Sequence, residues 1–171
     1  MKWVGLGLIF IGCMMGGIWV DQDQRKRLKE LGELTYLFEL LKAEIDYQLT
    51  PLKEACQNVG CRSQEGVGKI FIEFAQQLEG KSSTDVNKMW QQAIERHKDA
   101  LHLLQQDYEL LEDFGGACGY LDKQMQERNL EMTIEKIEYV RKGAQEKYER
   151  CSKLNKSLGI LIGAAIVIFL I

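Results

Sequence analysis

Apolar residues return every three or four positions from Leu28 onward, at Leu31, Leu34, Leu37, Phe38, Leu41 and Ile45. That spacing is a helical stripe. It predicts a helix that continues from the apolar segment before it to about Tyr47. In "LTPLKEA", Thr50 has the chemistry of an N-cap and Pro51 suits the first helical position, so a short second helix follows and ends near Gly60. "GCRSQEGVG" reads as a loop and "KIFIEFAQQL" as a third helix, stopped by Gly80. "KSSTD" opens a fourth, capped by Ser83 or Thr84, with Val86, Trp90, Ala93 or Ile94, and His97 on its stripe. A fifth carries Leu101, Leu104, Tyr108 and Leu111 and stops at "FGGACG"; the pattern leaves open whether it is separate from the fourth. Beyond Asp122 only Gly143 interrupts helix-forming sequence. Ile134, Ile137, Ala144, Tyr148 and Cys151 keep a spacing near 3.5 with Arg141 as the exception in the seam. One helix is expected to run from there into the C-terminal apolar run. No strand-like alternation competes, so the fold class is all-α, a helical bundle.

The two ends differ from the middle. Trp3 to Val20 is a run of 18 uncharged residues. As a helix it is about 27 Å long, close to a hydrocarbon core. Leu158 to Ile171 adds 14 more, about 21 Å, which becomes adequate when Lys156 snorkels and Leu154 starts the buried part. The expected organisation is a transmembrane helix at 1–20, a bundle at 21–156 and a second transmembrane helix at 157–171, with buried core helices as the alternative for both runs. All 25 acidic residues lie between Asp21 and Glu149. Arg25, Lys26, Arg27 and Lys29 follow the first run, and Lys153 and Lys156 precede the second, so the positive-inside rule places the middle in the cytoplasm. Five cysteines without a disulfide framework agree with that side. A rival reading takes "FIGC" as a lipoprotein cleavage site, but the residues before Cys13 are bulky and the apolar run continues past it.

Little here suggests chemistry. A net charge of −3 gives no electrostatic reason to expect nucleic acid. His97 and His102, five apart, lie about 140° from each other around a helix and do not share a face as metal ligands. Cys56 and Cys61 lack the two further ligands a zinc site needs. No nucleophile–base arrangement or phosphate loop is present, so no catalytic, cofactor or metal residue is assigned, and no small-molecule substrate or enzymatic activity is expected. The basic cluster from Arg25 to Lys29 either sets topology or meets anionic headgroups. Gly12 with Gly16, and Gly159 with Gly163, form small-xxx-small pairs at overlapping depths. They allow the two spans to pack as a hairpin or to meet another subunit, and glycine is also simply tolerated in membrane helices. "AEIDYQLTPL" places Glu44 and Tyr47 just before the Thr50–Pro51 turn, and "CGYLDKQMQ" holds Asp122 and Gln126 before the last helix.

The chain resembles the stage III sporulation protein AB family over essentially its whole length. The likeness rests on the glycine-bearing first span followed by "RLKEL", on "LLKAEIDYQLTPLKEA", on "FGGACGYLDKQMQ" and on "KSLGILIGAAIVIFLI". Leu121 before Asp122 departs from the small polar residue expected there. The resemblance implies an antiparallel bundle similar to the F-domain platform proteins of type II secretion. It also implies a place in the mother-cell membrane facing the forespore, other membrane components of a sporulation channel as neighbours, and an ATPase like stage III sporulation protein AA as cytosolic partner. Glu44, Tyr47, Thr50, Pro51, Asp122 and Gln126 would then serve either partner binding or helix geometry. A generic scaffold for division or envelope processes is the alternative function.

Overall fold

The computed structural model describes the backbone of residues 2–79, 85–118 and 123–170, and the side chains of 22–79, 85–116 and 124–150. The described residues form α1 (Lys2–Asp46), α2 (Leu52–Cys61), α3 (Gly68–Glu79), α4 (Val86–His97), a 3₁₀ turn (Lys98–Ala100), α5 (Gln105–Cys118) and α6 (Lys123–Leu170). Among them there is no strand. Each helix packs on its neighbour in sequence, and α6 returns to pack along α1. The antiparallel direction of that closing pair is fixed by its contacts. Arg25 meets Tyr148, Gly32 lies against Arg141, and Lys42 pairs with Glu131.

The helices meet around aromatic rings. Phe38 of α1, Phe71 and Phe74 of α3, Trp90 of α4 and Phe114 of α5 are all buried. They pack edge to face, Trp90 lying 5.4 Å from Phe71, 5.1 Å from Phe74 and 5.2 Å from Phe114 between centroids. This is the geometry that ring quadrupoles favour. Around them lie Leu31, Leu34, Leu37, Leu41 and Ile45, the stripe that the spacing on α1 predicts.

The expected helices are present, and the differences lie at their ends. Thr50 does not cap α2: Pro51 occupies the cap position, with its carbonyl accepting from Ala55 N at 2.9 Å. The cap of α4 is Asp85, whose carboxylate accepts from Asn87 N at 3.1 Å, rather than Ser83 or Thr84, which lie outside the described residues. Leu101 and Leu104 belong to the connection before α5 and not to the helix, so the fourth and fifth helices are separate.

Gly115 and Gly116 do not stop α5, which runs on to Cys118. Gly115 has a packing role. A Cβ there would stand 2.5 Å from Trp90 Cδ1 and 2.9 Å from Asn87 Oδ1, far inside van der Waals contact. At Gly32, by contrast, a Cβ would only touch Arg141, whose Cδ lies 3.9 Å away at ordinary contact distance.

Helices α1 and α6 are unbroken to Lys2 and Leu170. Among the described residues no helix is long and apolar enough to cross a membrane. The expected spans at 1–20 and 157–171, with Gly12, Gly16, Gly159 and Gly163, lie outside the residues whose side chains are described.

Candidate functional site

The turn between α1 and α2 is built around one carboxylate. Glu44 is buried, although its negative charge would ordinarily resist that. It accepts from Thr50 Oγ1 at 3.1 Å and Asn58 Nδ2 at 3.5 Å, and Arg62 NH2 approaches to 3.9 Å. Its backbone carbonyl accepts from Thr50 N at 3.2 Å. Glu44 and Thr50 therefore touch, and they hold the turn closed.

What the turn displays is apolar. Tyr47 is 88% exposed and Leu49 70% exposed. Leu49 has φ 54°, in the left-handed region, which costs a branched side chain about 1–2 kcal/mol. A strained backbone presenting exposed apolar groups on a well-anchored turn is the kind of outlier that accompanies recognition. Pro51 is exposed beside them.

Because α6 runs antiparallel to α1, its first turns stand at this same end of the bundle. Lys42 donates to Glu131 Oε1 at 2.5 Å, and this hydrogen bond holds the ammonium above its ordinary pKa. Gln126 is half-buried and Met125 is 57% exposed. Asp122 lies outside the described residues. The turn after α1 and the described first residues of α6, Gln124 to Gln126, thus share one tip of the molecule. Glu44 and Thr50 shape it, and Tyr47 and Leu49 are its accessible surface.

A second cluster went unrecognised in the sequence. Arg27 and Asp107 are both buried, and Arg27 Nε and NH2 reach Asp107 Oδ2 and Oδ1 at 2.7 and 2.9 Å. Asp107 also accepts from Leu104 N at 2.9 Å, closing the first turn of α5. One step along α1, buried Glu30 accepts from His102 N at 2.7 Å and lies 2.9 Å from His102 Nδ1. Lys26 Nζ stands 3.3 Å from His102 Nε2. Asp23 Oδ1 stands 3.8 Å from the same nitrogen, so both edges of the ring face a carboxylate. Tyr108 donates to Lys98 O at 3.0 Å. Burial, followed by the charges of Glu30 and Asp107, pushes its phenol up to about 12.

This network ties α1 to the α4–α5 connection and changes the reading of the basic cluster. Arg27 is turned inward and is unavailable to headgroups. Arg25 Nε donates to Tyr148 OH at 2.6 Å. The signal was available: Arg27 sits four residues before Leu31 and seven before Leu34, on the buried face. His97 and His102 are both half-buried, and it is His102 that carries the contacts to Glu30.

Neither cluster forms a catalytic constellation. Among the described residues, no group of three or more His, Cys, Asp or Glu side chains is placed to hold a metal. Cys56 is buried and Cys61 exposed, on the same helix and in no disulfide. What the tip offers is shape and exposed apolar surface, at Tyr47 and Leu49.

Known proteins share this architecture. The family model for stage III sporulation protein AB matches residues 2–171. Stage III sporulation protein AB of Bacillus subtilis (strain 168) is 27% identical over 170 residues, which cover 99% of both chains. A solved structure of stage III sporulation protein AB superposes with a TM-score of 0.67 at 27% identity, covering 72% of this chain and 97% of that one.

Proposed function

The chain belongs to the stage III sporulation protein AB family, and from that premise we propose that it is a structural membrane platform of a channel between mother cell and forespore. In this reading 1–20 and 157–171 are membrane helices and the bundle is cytosolic. Its far tip receives a secretion-type ATPase resembling stage III sporulation protein AA. The reaction chemistry belongs to that partner; this chain supplies attachment and transmission.

The observation that carries the reading is the pairing of α1 and α6. Among the described residues, the helices that lead to the apolar ends, α1 and α6, run antiparallel to each other. Both ends therefore leave the bundle on one side, and the exposed turn at Tyr47 and Leu49 stands at the other. A domain held at one end with an apolar tip at the opposite end suits a protein that links a bilayer to a cytosolic partner. The likeness to the F-domain platform proteins of type II secretion is an analogy of fold and supports the reading only in that sense.

The test is topology. Full-length protein is expressed in wall-stripped cells and treated with a membrane-impermeant thiol reagent, with Cys56, Cys61, Cys118 and Cys151 as reporters. Labelling only after lysis and denaturation supports a cytosolic bundle. Labelling of intact cells places it outside, where no cytosolic ATPase reaches it, and defeats the proposal.

A further inference from the structure

We draw no further inference here: the strongest candidate, the exposed stripe of Met125, Met132 and Tyr139 on α6, is an unpartnered apolar face, and nothing in the structure shows what covers it.

Discussion

Arg27 and Asp107, 80 residues apart in the chain, form a two-point ion pair at 2.7 and 2.9 Å with almost no exposed surface on either side chain. Removing one member leaves the other charge buried without its counterion, which typically costs about 3–5 kcal/mol. Arg27→Met and Asp107→Asn should each lower the urea midpoint accordingly. Arg27→Met combined with Asp107→Leu should cost less than either single change, because buried ion pairs are often replaceable by apolar groups of similar size. Equilibrium unfolding of the three variants reads this directly.

Gly115 and Gly143 are both helical glycines and should respond oppositely to alanine. At Gly115 the new methyl would meet the Trp90 ring at 2.5 Å, so Gly115→Ala should destabilise by about 1–3 kcal/mol through overpacking and alter Trp fluorescence. At Gly143 nothing stands within 4 Å, and alanine's better helix propensity should add up to about 1 kcal/mol. Paired thermal melts decide it.

Tyr108 gives the fold an alkaline sensitivity. Its phenol is pushed up to about 12 from its ordinary value of 10, so between those pH values the folded chain holds a proton that the unfolded chain has lost. Stability contributed by the neutral phenol is therefore full below pH 10 and falls as pH rises from 10 towards 12. Tyr108→Phe should flatten that part of the pH–stability curve. At neutral pH it should cost about 1 kcal/mol, for the lost hydrogen bond to Lys98 O. Melts of both proteins from pH 9 to 12 provide the comparison.

The tip should separate function from stability. Tyr47 is so exposed that Tyr47→Ala should change stability by less than about 0.5 kcal/mol, yet, on the function proposed above, it should reduce recovery of the proposed ATPase partner from sporulating cells. Leu49→Gly relieves the positive φ, offset by glycine's greater chain entropy, and should leave the melting temperature equal or higher while weakening the same interaction. Glu44→Ala should instead unfold the turn, costing about 1–3 kcal/mol because Thr50, Asn58 and Arg62 lose their shared acceptor. If Tyr47→Ala supports normal spore formation, the tip is not where the partner docks.

Much of this architecture was legible in the sequence because burial follows the helical period. The residues spaced from Leu31 to Ile45 are the buried face of α1, and the break at "LTPL" is a real turn. What escaped was decided by partners distant in sequence. Glycines in "FGGACG" look like a stop signal until Trp90 is found pressing on Gly115. Arg27 looks like one more base in a surface cluster until Asp107 is found opposite it. Asp85 displaced the earlier serine and threonine as cap because its carboxylate reaches Asn87 N, a choice that side-chain type alone does not rank. For the tip, the sequence identified the stretch from Glu44 to Pro51 but not the division of labour within it, which follows from burial.

The continuity of α1 has a mechanical meaning. From Lys2 to Asp46 it is a single rod of 45 residues, about 67 Å at 1.5 Å per residue, with no proline along it and with α6 lashed to its side by Lys42–Glu131 at one level and Arg25–Tyr148 at another. Between Arg25 and Asp46, where α6 lies alongside, it has neither a proline nor a glycine pair at which to bend, so a push applied at Tyr47 passes along the bundle as a displacement of α1 and α6 together.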